Sequence, residues 1–386
     1  MYALSVEIAI RQMSLHVCFI SSGVYGYFNP DRATPGGGRE RQQYLLTKEL
    51  AKRGFDVSII TDDYGQPEPE RFGDITFWKG STSEIGVKQF PRRVGTLVRK
   101  LHQVDADVFY IRGSPTLTIA TALYCNAMGR SFVHCVSGDI LVDPEMISER
   151  FSSVGQAFHR VYIRAAASAD RVVSLTNHQR RLLATEYGIT AQVVPVCYDY
   201  PNESELVPHR DRSYVLWVGR ISQIKRPLQF VDVADAMPER EFVMVGGESE
   251  TEPELYAEVR SRSEEIDNFR VEGYVLPSEI DEYYRNASAV IHTTETQGIG
   301  NITLEAWRYA TPVVSLYSTL DGFLPETEIG LYAGGSLAQL SDQIRSVTSD
   351  PTLAETLGTN GRQHLIENYS LEHITDVYED LFTAIA

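Results

Sequence analysis

Length and charge narrow the classes of protein to which this chain can belong. A chain of 386 residues exceeds the size at which a single hydrophobic core keeps growing, so two domains of roughly 150 to 200 residues are expected. The formal net charge of −17 at pH 7 argues against a nucleic-acid-binding protein, which needs a basic surface to contact phosphates. No apolar run approaches the roughly 18 residues of a membrane-spanning helix and no signal-peptide pattern opens the sequence, so a cytoplasmic protein is expected.

The cysteines have neither metal-type spacing nor a pairing pattern. Each lies in or beside an apolar segment, which predicts buried free thiols in a reducing compartment. They are Cys18, Cys125, Cys135 and Cys197. Residues 1–12 precede a second methionine, Met13, and are interpreted as an unstructured extension before the first strand.

The chain opens with a β-α-β pattern. An apolar run from Leu15 to Gly23 predicts a strand, and the segment RERQQYLLTKELAKRG has apolar residues at helical spacing until Gly54 ends it. FDVSIIT predicts the next strand. Further short apolar runs alternate with helical stretches, which is typical of a parallel doubly wound sheet. These runs are DVFYIRG, SFVHCVSGD, RVVSLT and AQVVPV.

The same pattern restarts after a linker. Residues 198–213, YDYPNESELVPHRDRS, contain two prolines and several charges and predict that linker. We therefore expect an α/β protein with two Rossmann-like doubly wound domains, at residues 13–200 and 211–365, that face an interdomain cleft, and a terminal helix at 366–386 that packs back toward the first domain. The predicted strands of the second half are SYVLWVGR, EFVMVGGE, FRVEGYV, AVIHTT, PVVSL and GLYAG.

Ligands of doubly wound sheets bind where strands end, so function is expected in the strand-to-helix loops. In the loop TPGGGRER, Gly37 and Gly38 open a helix whose backbone N–H groups can approach an anion; a flexible loop explains these glycines equally well. In the loop VGRISQIKRP, Arg220 and Lys225 are five residues apart and both can reach one diphosphate. Solvated surface charges are the alternative interpretation of that pair.

A third loop, within TTETQGIGNITLEAW, carries Gly298 and Gly300 before a helix predicted to begin near Asn301. Glu305 follows about one turn later, where the helix dipole stabilises a carboxylate by about 0.3 to 1 kcal/mol. That effect is a purely structural reason for the residue. The functional interpretation is that Glu305 binds both hydroxyls of a ribose, as acidic residues do in dinucleotide sites.

These segments together resemble a known family. GGGRERQQYLLTKELAKRGFDVSIIT resembles the amino-terminal signature of family-4 glycosyltransferases of the GT-B fold, whose pattern is G-G-x-E-R, with Gly37, Gly38, Glu40 and Arg41 on that pattern. VGRISQIKRP is similar to the family's V-G-R-x(4)-K segment. QGIGNITLEAWRYATPVVS is similar to its E-G-F-G-x-x-x-L-E-A segment. The resemblance runs from about Leu15 to the end of the chain.

The resemblance implies transfer of a sugar from a nucleotide sugar to an acceptor hydroxyl, with retention of anomeric configuration and without a metal ion or cofactor. Arg220 and Lys225 match the family's diphosphate-binding pair, and Glu305 matches its ribose-binding glutamate. The acceptor, a glycan, a lipid-linked molecule or a small molecule, is expected near Ser137 and Asp139, with Asp139 a candidate general base. The other donor-binding positions that the resemblance implies are Gly37, Gly38, Gln297, Gly298, Gly300 and Asn301.

Two positions depart from the family pattern. Gln297 stands where the family has the first glutamate of a pair, and Ser137 stands where many members have a histidine. Glu295 and His134 are out of phase with these positions, and His134 on an apolar strand is interpreted as a core residue. Two alternatives therefore stay open: a sugar-nucleotide epimerase of the same architecture, or a catalytically silent homologue that binds the nucleotide sugar or a partner enzyme.

The segment PRRVGTLVRKLHQV, Pro91 to Val104, carries apolar residues at helical spacing with basic residues around them. A helix that lies in a membrane interface is one interpretation. An ordinary helix packed on the sheet, with a basic outer face, is the other. A peripheral membrane contact is expected if the acceptor is lipid-linked.

Overall fold

The structure is a computed structural model that describes residues 14–33, 36–80, 90–249, 251–276, 278–295 and 298–386. It divides into two compact units. The N-domain comprises the described residues up to Cys197 together with Leu371–Ala386, and the C-domain comprises Tyr198–Ser370. Each domain is built on a largely parallel sheet with helices between its strands. The predicted fold class, two doubly wound α/β domains, is confirmed.

The helices and strands of the described residues are numbered in chain order. The strands are β1 His16–Ile20, β2 Asp56–Thr61, β3 Glu70–Phe72, β4 Ile75–Lys79, β5 Val108–Arg112, β6 Ser131–Cys135, β7 Arg171–Ser174, β8 Gln192–Val193, β9 Tyr214–Val218, β10 Glu241–Val245, β11 Phe269–Gly273, β12 Ala287–His292, β13 Val313–Ser315 and β14 Leu331–Tyr332. The helices are α1 Tyr25–Phe28, α2 Gly38–Lys52, α3 Phe90–Val104, α4 Pro115–Met128, α5 Pro144–Arg150, α6 Ser153–Ala167, α7 Asn177–Tyr187, α8 Pro227–Asp235, α9 Pro253–Glu265, α10 Ile280–Asn286, α11 Asn301–Arg308, α12 Leu337–Ser349, α13 Pro351–Tyr369 and α14 Leu371–Thr383.

The N-domain sheet has the strand order β3-β4-β2-β1-β5-β6-β7-β8 within the described residues. Val17, Cys18 and Phe19 of β1 are fully buried because helices cover both faces of the sheet, so the strand is a continuous apolar run. All four cysteines are buried and outside any disulfide, which confirms the predicted free thiols. The hairpin of β3 and β4 is the one antiparallel pair among these strands, and the sequence pattern did not predict it.

Helix α14 belongs to the N-domain, although it follows the whole C-domain in the sequence. Ile374, Leu381 and Phe382 pack in the same core cluster as β1 and β5. At the helix surface, Arg53, the residue that follows α2, forms ion pairs with Asp376, at 2.5 Å, and with Glu379, at 3.1 Å. The N-domain core is therefore completed by a distant segment of the chain.

Helix α3 packs its apolar face into the N-domain core. Leu101 is fully buried and Leu97 is 3% exposed, and Val94 and Val98 pack against the same cluster. These are the side chains that an interfacial helix would insert into a lipid surface, so the alternative of an ordinary packed helix describes α3. In the part of the chain that the structure describes, no helix is long and apolar enough to span a bilayer. The predicted extension, residues 1–12, lies outside the described residues.

The C-domain sheet is parallel, with the order β11-β10-β9-β12-β13-β14. Its core includes the fully buried side chains of Phe230, Phe242 and Ile291. The chain runs from β9 to β10 on one side and reaches β12 on the other side of β9. The strand order therefore reverses at β9, which is where doubly wound sheets bind ligands. The loops after β9 and β12 leave this point side by side.

Candidate functional site

The loop after β9 holds Lys225 against the end of its own strand. Residues Gln223–Lys225 form a 3₁₀ turn, closed by a 2.9 Å hydrogen bond from the Lys225 N–H to the Ser222 carbonyl. A Cβ atom placed on Gly219 would lie 2.8 Å from Lys225 Cδ and 3.0 Å from its Nζ. Glycine at position 219 therefore leaves the space that the lysine side chain occupies as it folds back over the strand.

Hydrogen bonds of the Thr293 hydroxyl join the loop after β12 to β9 and to the loop that follows β9. The Thr293 hydroxyl donates to the Lys225 carbonyl at 2.5 Å and accepts from the indole N–H of Trp217 at 2.8 Å. Next to them, Arg226 forms an ion pair with Glu295, and its guanidinium lies 4.6 Å from the centroid of the Tyr317 ring. Glu295, which is out of phase with the family's glutamate pair, thus has a partner of its own in the C-domain.

Charges converge on the Lys225 ammonium. Burial lowers the pKa of Lys225, the Glu305 carboxylate opposes that shift, and the positive charge of Arg220 adds to it. Two cations and one carboxylate in this cluster give a net positive field, which is suited to a diphosphate. His292, at the end of β12, contributes no charge because burial and Lys225 together lower its pKa to about 3.

Glu305 on α11 is positioned by two tyrosine hydroxyls. The Tyr284 hydroxyl donates to Glu305 Oε2 at 2.6 Å, and the Tyr198 hydroxyl donates to Oε1 at 3.4 Å. Both tyrosines are fully buried. A carboxylate accepts hydrogen bonds at about four sites, which makes Glu305 chemically suited to the hydroxyls of a ribose. Sequence reasoning missed both tyrosines, because neither lies in a motif.

The glycine-rich loop leads directly into the N-terminus of α11. Gly300 is the N-cap residue and Asn301 begins the helix, while the Gly298 carbonyl accepts from the Ser318 hydroxyl at 3.3 Å. A Cβ atom on Gly300 would lie 3.0 Å from His292 Nε2, so the loop passes close over the end of β12. Gln297 lies outside the described residues.

In the N-domain, Gly37 is the N-cap residue of α2 and Gly38 is its first residue. Arg39 and Glu40 follow, and both Nε and an NH2 group of Arg39 donate to Glu40 Oε1, at 2.8 and 2.6 Å. A Cβ atom on Gly36 would lie 2.5 Å from Glu40 Cγ. Gly36 therefore has a packing reason, since it leaves room for the buried Glu40 side chain.

Ser137 and Arg39 both approach Gly113, at the carboxyl edge of the N-domain sheet. A Cβ atom on Gly113 would lie 2.8 Å from Ser137 Cβ and 3.6 Å from the Arg39 guanidinium. Asp139 begins a 3₁₀ turn, Asp139–Leu141, and its Oδ1 accepts from the Gln179 side-chain amide at 2.9 Å. Ser137 and Arg39 therefore lie close together beside Gly113. The hydrogen bond from Gln179 fixes the position of the Asp139 carboxylate.

His134 is a core residue, as predicted. It is fully buried, its Nε2 lies 3.0 Å from the Tyr162 hydroxyl, and burial lowers its pKa to about 3. A histidine that stays neutral in a closed environment cannot take part in acid–base chemistry near pH 7. Among the described residues, no group of three or more His, Cys, Asp and Glu side chains is arranged to hold a metal ion.

Comparisons with known proteins give a family match in each half of the chain. Residues 36–199 match the family described as Glycosyltransferase Family 4, and residues 212–350 match Glycosyl transferases group 1. The chain is 22% identical over 297 residues to the amylovoran biosynthesis glycosyltransferase AmsD of Erwinia amylovora, over 74% of this chain and 78% of AmsD.

Solved structures share the fold. Sucrose-phosphate synthase from Thermosynechococcus elongatus superposes with a TM-score of 0.76 at 19% identity, over 96% of this chain and 100% of that one. HepE from Anabaena, in complex with UDP and glucose, superposes with a TM-score of 0.73 at 16% identity, over 96% of this chain and 100% of that one. From its family matches and its two Rossmann-like domains, this chain belongs to the family-4 glycosyltransferases of the GT-B fold, and it is an enzyme that transfers a sugar from a nucleotide-sugar donor.

Proposed function

We propose that this enzyme is a retaining glycosyltransferase whose C-domain binds the donor's nucleoside diphosphate through Arg220, Lys225 and Glu305, without a metal ion. The observation that carries the proposal is the partly buried Lys225, held at the switch point of the sheet under the influence of both Arg220 and Glu305. Retention is supported by the resemblance to the family.

Each of these residues has a distinct role in the proposed reaction. The diphosphate gathers negative charge as the glycosidic bond breaks, so Arg220 and Lys225 stabilise the transition state more than the ground state. The first backbone N–H groups of α11, from Gly300 and Asn301 onward, add the positive end of a helix dipole. Glu305 accepts hydrogen bonds from the ribose hydroxyls. Gln297 and Gly298 are proposed to contact the transferred sugar.

The N-domain is proposed to bind the acceptor. Gly37 and Gly38 at the start of α2 contribute backbone N–H groups near the donor phosphates, while Ser137 and Asp139 contact the acceptor and Asp139 receives its proton. The relative AmsD is named for amylovoran biosynthesis, which supports a glycan or a glycan precursor as the acceptor. A peripheral membrane contact remains part of the proposal only for a lipid-linked acceptor, and the packed face of α3 lends it no support.

The test is a panel of nucleotide sugars incubated with candidate acceptors and analysed by mass spectrometry. UDP-sugars come first, because HepE was solved with UDP and glucose. Lys225→Ala and Arg220→Ala are expected to lower kcat/KM at least about a hundredfold each, since the loss of one preorganised charge typically costs roughly 3 kcal/mol. Arg210→Ala removes an exposed arginine of the same domain and should leave kcat/KM unchanged.

Near-normal turnover in either the Lys225 or the Arg220 variant would contradict the proposed diphosphate site. Proton NMR of the product gives the anomeric configuration, and an inverted product would contradict retention. The same donors incubated without acceptor separate the alternatives, since an epimerase would change the sugar and a silent homologue would leave every donor and acceptor unchanged.

A further inference from the structure

Arg112 is a buried arginine that has no carboxylate partner among the residues that the structure describes. It is the last residue of β5, only 9% of its surface is exposed, and its Nε has no hydrogen-bond partner among the described residues. The groups that act on its charge are thiols and phenols, those of Cys135, Tyr110, Tyr378 and Cys197. A buried cation in such surroundings is costly unless something else neutralises it.

Two glutamines of α2 lie beside it with unused polar atoms. Gln42 and Gln43 are each 3% exposed. Neither Oε1 nor Nε2 of Gln42 has a partner among the described residues, and Gln43 Oε1 has none there either. Buried polar atoms in native proteins nearly always have a partner, so several orphaned atoms in one place indicate a bound species.

These three residues line one cavity within the N-domain. The cavity has room for about one particle of the size of a water molecule. The described residues that line it supply a guanidinium, amides, phenols and a thiol, and no carboxylate. The residues that line it are Gln42, Gln43, Leu46, Tyr110, Arg112, Leu175, Pro195, Val196, Cys197, Ile374 and Tyr378.

We propose that this cavity binds a small monovalent anion through Arg112 and Gln42. An anion neutralises the charge of the guanidinium and accepts hydrogen bonds from Arg112 Nε and Gln42 Nε2, whereas a water molecule would leave that charge uncompensated. The room available fits chloride or the end of a small carboxylate, and it excludes tetrahedral anions such as phosphate and sulfate. The bound anion would fix the second turn of α2, a few residues after Gly37 and Gly38, and would thereby position the N-terminus of that helix.

Anomalous scattering tests the site directly. Crystals of the full-length chain, grown without halide, are soaked in sodium bromide and measured at the bromine edge. The expected result is an anomalous peak within hydrogen-bond distance of the Arg112 guanidinium and Gln42. Bromide peaks confined to surface positions, with this cavity empty or holding water, would overturn the proposal.

Thermal unfolding tests it in solution. At constant ionic strength, replacement of sodium gluconate by sodium chloride should raise the unfolding midpoint of the protein in a saturable way, because a ligand that binds only the native state stabilises it. Arg112→Met should abolish that rise. The matched control, Arg308→Met, removes a buried arginine that pairs with Asp199 and Asp281, and it should keep the rise even if the midpoint falls.

The same unfolding measurement with sodium formate in place of sodium chloride shows whether the site also accepts a carboxylate. Formate that reproduces the chloride effect indicates a site that also accepts a carboxylate, and formate without effect restricts the site to halide. If neither anion gives a saturable, Arg112-dependent rise, the proposal is wrong. If Arg112→Met does not fold, the bromide measurement on the unmodified chain still decides the question.

Discussion

The hydroxyl of Tyr284 donates a 2.6 Å hydrogen bond to Glu305 Oε2, from a side chain that is completely buried. The bond fixes one oxygen of the Glu305 carboxylate. The orientation of Glu305 is therefore decided by α10, which lies outside the glycine-rich loop that precedes α11.

Tyr284→Phe should weaken the binding of UDP about tenfold or more. The substitution removes a hydrogen bond to a charged group, which contributes about 1.5 to 3 kcal/mol, and it frees Glu305 to adopt other rotamers. Isothermal titration calorimetry with UDP measures the effect. Tyr283→Phe is the matched control, because the neighbouring tyrosine has no described hydrogen bond to Glu305; equal losses in the two variants would contradict the role of Tyr284.

UDP binding should be accompanied by proton uptake at alkaline pH. Burial lowers the pKa of Lys225 in the free protein, and a bound diphosphate would raise it again by stabilising the ammonium. Between the lowered and the raised pKa, binding must therefore take up a proton. Calorimetry in buffers of different ionisation enthalpy measures this uptake. It should vanish in Lys225→Met, and uptake that persists in this variant would assign the proton to another group.

Gly246→Ala should impair catalysis without touching a substrate. A Cβ atom at position 246 would collide with the carbonyl oxygen of Gly219, at the start of the loop that carries Arg220 and Lys225. The loop must shift, and small misplacements of charged groups can cost about a hundredfold in rate. Steady-state kinetics measures kcat/KM. Gly95→Ala, in open space on α3, should retain full activity, and an active Gly246→Ala enzyme would mean that the loop position tolerates displacement.

His134 should make the N-domain sensitive to acid. Its pKa is about 3 in the folded protein against about 6.5 in an unfolded chain. Between these values the unfolded state binds a proton that the folded state does not, so the free energy of unfolding falls as the pH drops below about 6.5. The slope contributed by one such group approaches about 1.4 kcal/mol per pH unit.

Urea unfolding between pH 7 and pH 4 measures that slope. His134→Gln should show a shallower decrease than the unmodified protein, by up to about one proton equivalent. His102→Gln, which replaces an exposed histidine of the same domain, should follow the unmodified protein. Parallel curves for all three proteins would mean that another group titrates.

The sequence predicted the parallel strands well because a strand covered on both faces is an uninterrupted apolar run. Phe242, Val243 and Met244 in β10 are fully buried, and no polar residue interrupts this apolar run. The hairpin of β3 and β4 escaped prediction because β3 has three residues, Glu70–Phe72, none of them buried, and its pairing is a tertiary contact. β8, Gln192–Val193, is shorter than the strand predicted from the run AQVVPV. Pro195 ends it because proline has no N–H group to donate to a neighbouring strand.

The candidate site was predictable to the extent that it is local in sequence. Arg220, Lys225 and Glu305 could be singled out from their spacing and their resemblance to the family motifs. Tyr198 is 107 positions from Glu305 in the sequence and no periodic pattern connects them, so this contact needed the fold. The same holds for Arg226 and Glu295, whose ion pair joins two loops 69 positions apart.

The return of α14 to the N-domain orders events during synthesis. Chain leaves the ribosome from its amino end, and domains generally fold as units as they emerge. The C-domain, residues 198–370, is continuous in sequence and can fold as soon as it has left the ribosome. The N-domain, although it emerges first, must wait for Tyr378 and Phe382 to cover the apolar surface of β1 and β5. The nascent protein therefore carries an open hydrophobic groove for as long as the whole second domain takes to translate.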